Sequence, residues 1–428
     1  MRVLLTGANG LIGSAIAAAL AREGHEVTGV SRRKNGCVST DRCITLDMRH
    51  AVTKEVWLPH LQGIEAVINC AGVLQDNATD STTAAHADGP AALFAACEDS
   101  GVRKVIHVSA IGVDRETPTA FSRSKAKGDA ALMASNLDWV ILRPSVVLGP
   151  RAYGGSALFR ALAVLPVIPR LPDAGKLQVV QLADLVSTVV FFLRTDVPAR
   201  VTLEIAGPEQ LSVEEVVDAC RMWLGCKPAR RINAPRWLMR AGYALGDFAG
   251  WLGWRPPVRS TAAIEMARGA VGDPAPWTAM TGITPTSLRQ ALVSNPASVQ
   301  EKWFARLYLL KPIIFAVFSL FWIATAFTSL GPGWQIGIGL MHEGGVTGIA
   351  APLTVVAGAL ADLAIGVGIA WRKTTRPALY AAFFLSIAYT VIATILVPRL
   401  WIDPLGPMLK IWPVLTLNMV AIAILEDR

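Results

Sequence analysis

The stretch Arg2-Val3-Leu4-Leu5-Thr6-Gly7-Ala8-Asn9-Gly10-Leu11-Ile12-Gly13, followed by an alanine-rich run to Arg22, decides the fold of the N-terminal half. Arg2 to Leu5 reads as a short apolar strand and the run to Arg22 as a helix, so the glycines occupy a strand-turn-helix junction. Gly7 permits the tight turn, Gly10 lets the backbone approach a pyrophosphate, and Gly13 lets the helix pack close to the strand. The start of the helix then presents free N–H groups to phosphate oxygens. The candidate phosphate-binding set is Gly7, Asn9, Gly10, Leu11, Ile12 and Gly13. A signal peptide at Met1 to Leu20 is a poor fit, because the glycines and the strand-turn-helix pattern break its apolar core.

The pattern continues outward as a doubly wound parallel sheet, a Rossmann-type α/β fold. The second strand is Glu26 to Ser31. A site for a free ribose 2′-hydroxyl places an acid near its end, about 20 residues past the glycines. This chain has Ser31-Arg32-Arg33 instead. Two guanidinium groups suit a 2′-phosphate, so NADP(H) is expected over NAD(H). Cys43 to Leu46 leads to Asp47-Met48, placed to flank the adenine. Ala66 to Asn69 leads to Cys70-Ala71-Gly72, near the middle of the cofactor. Lys104 to Val108 ends at Ser109, and Trp139 to Leu142 ends at Arg143-Pro144. All of these lie at the carboxyl edge, where such sheets bind ligands.

The C-terminal third has a different chemistry. The chain has 428 residues with 40 basic and 32 acidic side chains, a net charge of +8, 17% charged and 53% hydrophobic residues. That charge density is below the soluble average of about 25%, which excludes a disordered chain and a purely soluble one. From Leu307 onward the charges thin out. Pro312 to Leu330, Thr347 to Trp371, Ala378 to Pro398 and Leu405 to Leu425 are long apolar runs, interrupted only by Asp362 and Lys410. Each has about the 20 residues that a bilayer core requires, so four transmembrane helices are expected in one bundle, the fourth helped by snorkelling of Lys410. Lys302, Arg306 and Lys311 precede the first span, Arg372, Lys373 and Arg376 fill the second connection, and the first connection has no Lys or Arg. This bias places both termini in the cytoplasm of an inner-membrane, multi-pass protein. The domains implied are residues 1–213, 214–306 and 307–428.

These residues carry a resemblance. Gly7 to Gly13, Asp47-Met48, Cys70-Ala71-Gly72, Lys125 and Arg143-Pro144 resemble an atypical, extended-type short-chain dehydrogenase/reductase. Within that superfamily the chain is similar to the NAD(P)H-binding branch that includes the NADPH-binding accessory subunit of mitochondrial complex I. The spans resemble the DoxX-like membrane family through Ala361-Asp362-Leu363-Ala364-Ile365-Gly366 and Asp403-Pro404-Leu405-Gly406-Pro407-Met408-Leu409-Lys410. The second resemblance implies a connection to quinone redox chemistry.

The superfamily's active site pairs a Tyr with a Lys four residues later, the Lys holding the nicotinamide ribose and lowering the phenol pKa. Here the stretch is Phe121-Ser122-Arg123-Ser124-Lys125: the Lys is present and Phe121 replaces the Tyr. Lys125 is therefore the catalytic candidate, or a cofactor ligand alone. Ser109 falls near the family's Ser position and joins the cofactor set with Pro144. Without the phenol, the proton for a reduction comes from water or from a group such as Tyr153.

Other residues read as structural. Asp184 and Ser212 are expected to cap helices. Cys37, Cys43, Cys70, Cys97, Cys220 and Cys226 form no metal-ligand spacing and are expected to be free thiols. Lys227 to Arg259 interleaves arginines with Trp237, Leu238, Tyr243, Leu245, Phe248, Trp251, Leu252 and Trp254. It is either an interfacial helix on anionic lipid or a core helix, and next to membrane spans the lipid reading outweighs nucleic acid. Asp362 and Asn418 are polar groups inside spans, the latter expected to make an interhelical hydrogen bond. Two functions follow. One is a membrane-anchored NADPH-dependent oxidoreductase acting on a quinone or lipid. The other is a non-catalytic NADPH-binding subunit of a membrane complex.

Overall fold

The structure, a computed structural model, describes residues 1–32, 36–77, 80–171 and 173–425. The chain divides into two compact units: Met1–Asp247 with Pro256–Ala305, and Phe248–Arg255 with Arg306–Arg428.

The first unit alternates strands and helices. They are β1 (Arg2–Thr6), α1 (Leu11–Arg22), β2 (Glu26–Ser31), β3 (Arg42–Thr45), α2 (Lys54–Trp57), β4 (Ala66–Asn69), α3 (Gly89–Ser100), β5 (Lys104–Val108), α4 (Ala120–Met133) and β6 (Asp138–Pro144). Then come β7 (Val147–Leu148), α5 (Gly155–Ala163), β8 (Val167–Pro169), β9 (Val180–Gln181), α6 (Leu182–Leu193), β10 (Val201–Ile205), α7 (Val213–Trp223) and β11 (Arg230–Ile232). Five helices complete the unit or leave it: α8 (Arg236–Trp251), α9 (Ser260–Arg268), α10 (Ala275–Thr281), α11 (Leu288–Ser294) and α12 (Val299–Tyr308).

Seven strands form one sheet in the order β10-β6-β5-β4-β1-β2-β3, with every pairing parallel. The strands read as near-continuous Val, Ile and Leu because helices cover both faces. Val3, Leu5, Ile16, Leu20 and Ile68 build one core layer, and Leu4, Val67, Leu93, Phe94 and Ile141 build the other. Burying each such side chain contributes about 1.5–3 kcal/mol. The strand order reverses between β1 and β4, so the connections that follow them run to opposite faces of the sheet and leave a crevice at its carboxyl edge. A third core, with Phe159, Val216, Val217 and Leu288, supports the small lobe beyond this edge. Ser212 caps α7 with a reciprocal capping box to Glu215, as its sequence position implies. Asp184, by contrast with what its sequence position suggests, does not cap α6: the N-cap is Gln181, without a side-chain bond, and Asp184 lies in the first turn and accepts from Thr286 N and Oγ1.

One cysteine expectation is corrected. Cys37 and Cys43 form a disulfide, and Cys70, Cys97, Cys220 and Cys226 are free. Cys43 pairs with Gly29 of β2, against which Cys37 also packs. Their six-residue separation gave no sign of this proximity.

The second unit contains α13 (Leu310–Leu330), α14 (Trp334–Glu343), α15 (Ala350–Ala370), α16 (Thr375–Leu396) and α17 (Ile411–Ile424). Four of these pack around Phe315, Phe318, Ile369, Leu379 and Ala421. Gly366 sets the spacing of α13 and α15: a Cβ there would meet Ile323 at 2.6 Å, and Ser319 donates to its carbonyl at 2.8 Å. Among the described residues, α13, α15 and α16 are long and apolar enough to cross a membrane. The fourth expected span is shorter than predicted. Pro404, Gly406 at φ +58° and Pro407 hold Leu405 to Lys410 in turns. Helix α17 therefore has 14 residues, about 21 Å, against a hydrocarbon core of about 30 Å. Arg399 of the third connection pairs with Glu343 of the first, as an up-and-down bundle requires. Asn418 donates to Leu379 O at 3.2 Å, the interhelical bond expected of it. Asp362 is buried and accepts from Tyr389 Oη at 3.0 Å.

Candidate dinucleotide site

The phosphate cradle is built by missing side chains. Gly7 has φ +66°, in the left-handed region. A Cβ on it would stand 2.7 Å from Cys70 O, and a Cβ on Gly13 would stand 2.2 Å from Gly7 O. Gly10 donates to Gly7 O at 2.9 Å and caps α1 without a side chain over the first turn. Asn9, Leu11 and Ile12 are half-buried around this turn. The N–H groups at the helix start are therefore open to an anion, with the helix dipole behind them. The sequence reading missed Arg151. It donates to Ser14 Oγ at 3.1 Å and so brings a guanidinium to the same first turn.

On the adenosine side, Ser31 is buried at the end of β2 and Arg32 pairs with Asp80. Arg33 lies outside the described residues. Asp47 accepts from the Arg49 backbone N–H and guanidinium, at 3.0 and 2.7 Å. Burial works against its ionisation, but Arg49, with Arg32 nearby, holds the carboxyl below its usual value. Met48 turns into the core, its methyl group beside Gly89.

On the opposite side, Cys70, Ala71 and Gly72 follow β4. Burial pushes the Cys70 thiol up to about 12, so it remains protonated. Lys125 projects from α4 and donates to Val108 O at 2.8 Å. Its ammonium flanks Gly72, where a Cβ would lie 3.8 Å from Nζ and 3.6 Å from His86 Nε2. The structure thus brings Lys125 and the 70–72 turn together, with Ser109 buried just past the strand whose last carbonyl Lys125 holds. Pro144 closes β6, its carbonyl accepting from Ile111 at 3.0 Å. Burial draws the Lys125 pKa down to about 8, opposed by Asp129 and Cys70.

His86 was not anticipated. It sits in a widened helical turn, Ala84–Asp88, against which Gly128 packs too closely to admit a side chain. Its Nε2 accepts from Val73 N at 3.0 Å. Its Nδ1 lies 2.9 Å from Ser124 Oγ, which itself donates to Phe121 O. These bonds assign the neutral tautomer with hydrogen on Nδ1. Burial, with Lys125 nearby, holds the pKa well below its ordinary value. Phe121 stands edge-on to this imidazole, centroids 5.4 Å apart. A position with the reach of a phenol thus carries a ring with no proton.

Behind this edge runs a buried polar chain. Thr6 Oγ1 donates to Asn69 Oδ1 at 2.5 Å, and Asn69 Nδ2 contacts His107 Nδ1 at 2.9 Å. His107 Nε2 lies 3.5 Å from Asp129 Oδ1. Arg143 Nε donates to Asp129 at 3.0 Å and its Nη1 to Asp114 at 2.6 Å. The network ties β1, β4, β5 and β6 to α4 and fixes the face from which Lys125 projects.

The residues fit a dinucleotide: a side-chain-free cradle for the pyrophosphate and a buried ammonium beside the turn where the second ribose would lie. The comparisons agree. Residues 3–165 match the NAD dependent epimerase/dehydratase family, and residues 319–419 match the DoxX-like family. The chain thus joins an N-terminal domain similar to the NAD dependent epimerase/dehydratase family to a C-terminal DoxX-like domain whose described residues include three helices of membrane length. It is 26% identical to a ceramide reductase of Caulobacter vibrioides over 238 residues, 54% of this chain and 73% of that one. It is 28% identical over 175 residues to the mitochondrial NADH dehydrogenase [ubiquinone] 1 alpha subcomplex subunit 9 of Dictyostelium discoideum, 41% of this chain and 48% of that one. The solved structure of MoeE5 with UDP-glucose and NAD superposes with a TM-score of 0.54 at 19% identity, over 72% of this chain and all of that one.

Proposed function

We propose that the chain is a membrane-anchored, NADPH-dependent reductase of a lipophilic acceptor, a lipid carbonyl or a quinone. Lys125 carries the reading: a buried ammonium beside Gly72, on the face that the His107–Asp129–Arg143 chain holds in place. The cofactor, when bound, supplies the hydride. Gly7, Gly10 and Gly13 seat its pyrophosphate, and Lys125 orients its ribose. Because Phe121 has no proton to give, the proton for the acceptor oxygen comes from water or from a group such as Tyr153. NADPH is favoured because Ser31-Arg32-Arg33 replaces the acid of a 2′-hydroxyl site. The Arg32 side chain remains 37% exposed even when paired with Asp80. Three apolar helices of membrane length support a lipid-dissolved acceptor, as does the likeness to a ceramide reductase. The basic ends of the spans favour the cytoplasmic face for both termini.

Phe121 and the likeness to a complex I subunit favour a second reading, a non-catalytic NADPH-binding component of a membrane complex. NADPH oxidation by the full chain in nanodiscs, with a long-chain ketolipid or a short-tailed quinone supplied, separates the two. Turnover that disappears in Lys125→Met supports the reductase. Tight NADPH binding without turnover on either acceptor overturns it in favour of the second reading.

A further inference from the structure

Helix α8 is amphipathic in the wrong sense for a water-soluble protein. At 100° per residue, Trp237, Leu238, Ala241, Ala244, Leu245, Phe248 and Trp251 share one face. That face points outward: Trp237 is 70% exposed, Leu245 68%, Phe248 57% and Trp251 61%. The opposite face carries Gly242, Gly246 and Gly250, and it is the one turned to protein. Gly246 and Gly250 are buried, and a Cβ on Gly246 would meet Val258 O at 1.8 Å. The helix thus turns Gly246 and Gly250 inward and displays Trp237 and Trp251. An exposed apolar stripe of this length marks a surface that another phase covers. It also rules out the core-helix reading of this stretch.

What covers it is indicated where the helix ends. The last turn and Leu252–Arg255 belong to the second unit. Trp251 packs edge-on against Trp371, Trp254 Nε1 donates to Ala370 O at 2.8 Å, and Arg372 N donates to Leu252 O at 3.0 Å. Ala370 is the last residue of a membrane-length helix, so this end of α8 lies at a bilayer boundary. Arg236 and Arg240 are exposed along one border of the apolar face. Helix α12, which leads into α13, repeats the pattern. Trp303 and Leu307 are exposed at 64% and 52%, Lys302 and Arg306 adjoin them, and Ala305 faces inward. Tryptophan and arginine on an outward apolar face at the end of a span are the composition of an interfacial segment.

We infer that α8 lies in the headgroup region of the membrane, its Trp237–Trp251 face buried among acyl chains and its arginines on anionic headgroups. The test installs an environment-sensitive fluorescent amino acid at Leu245 in the full chain, in nanodiscs of phosphatidylcholine and phosphatidylglycerol. The quencher is a lipid with a nitroxide near the headgroup, and the same probe at exposed Asn136 gives the solvent value. The expected result is blue-shifted emission at Leu245 with quenching at least about threefold above that at Asn136, weakened in Arg236→Glu/Arg240→Glu. Solvent-like, unquenched emission at Leu245 overturns the inference. Blue-shifted but unquenched emission also overturns it and assigns the face to a protein contact, which cross-linking would identify as a second copy or another chain.

Discussion

Lys125 makes a quantitative prediction about proton uptake. Burial lowers its pKa from 10.5 to about 8 in the protein without cofactor, which corresponds to about 3.4 kcal/mol against the charged form. In the proposed complex, hydrogen bonds from Nζ to ribose hydroxyls are stronger from the ammonium than from the neutral amine, so binding favours proton uptake by neutral Lys125. At pH 7 about one tenth of the free protein has Lys125 neutral, and at pH 9 about nine tenths. A charged hydrogen bond contributes about 1.5–3 kcal/mol, which raises the bound-state pKa to roughly 9–10. Proton uptake per NADPH bound therefore rises from about 0.1 at pH 7 to about 0.5–0.8 at pH 9. Affinity weakens above pH 8, by no more than about tenfold per pH unit. The 2′-phosphate, with a second pKa of about 6, does not titrate in this range. Calorimetric titration of the full chain with NADPH, in buffers of different ionisation enthalpy, measures the uptake directly. Lys125→Met should abolish it and weaken Kd by roughly 10- to 150-fold. Uptake near zero at pH 9 in the unsubstituted protein would refute the placement of Lys125 on the ribose.

Two further substitutions test the frame around that lysine. Gly13→Val places a side chain where even a Cβ would stand 2.2 Å from Gly7 O, so NADPH affinity should fall by more than about a hundredfold, and retained affinity would contradict the cradle. Asp129→Leu removes the buried carboxylate held by Arg143 and should cost about 3–5 kcal/mol. In a unit of this size that lowers the unfolding midpoint by roughly 10 °C, read by near-UV circular dichroism in nanodiscs, and an unchanged midpoint would show the chain of polar groups to be dispensable.

The N-terminal fold was legible because its signals are local. Gly7, Gly10 and Gly13 sit at fixed offsets in a strand-turn-helix, and a side chain at Gly7 or Gly13 would clash with the backbone. Lys125 was legible through its offset from Phe121 in one helix. His86 was not, because its role depends on a widened turn and on contacts with Val73 and Ser124, and nothing in Ala84-Ala85-His86-Ala87 announces either. Arg151 was missed for the same reason: its partner Ser14 is 137 residues away. The fourth span was over-read because counting apolar residues ignores that Pro404, Gly406 and Pro407 cannot continue a helix.

The site holds the lysine of the Tyr–Lys pair that the proposed reductase chemistry uses, with Phe121 at the phenol position. A chain retained only for its shape would have no need to hold a lysine ammonium in a desolvated position, since that costs stability unless a ligand uses it. The buried run from Thr6 through Asn69, His107 and Asp129 to Arg143 maintains the face on which this lysine stands, as the proposed orientation of a cofactor would require. Phe121, by contrast, closes the position beside His86 with an apolar edge. That replacement disfavours small polar carbonyl substrates, which draw their proton from a phenol, and leaves an apolar wall compatible with an acyl or isoprenoid chain. Both readings of the function need the cofactor. They differ in what that wall excludes: water alone, or water in favour of a lipid-borne acceptor. Phe121→Tyr distinguishes them chemically, because restoring the phenol can accelerate a reduction already taking place but cannot create an acceptor site that is absent.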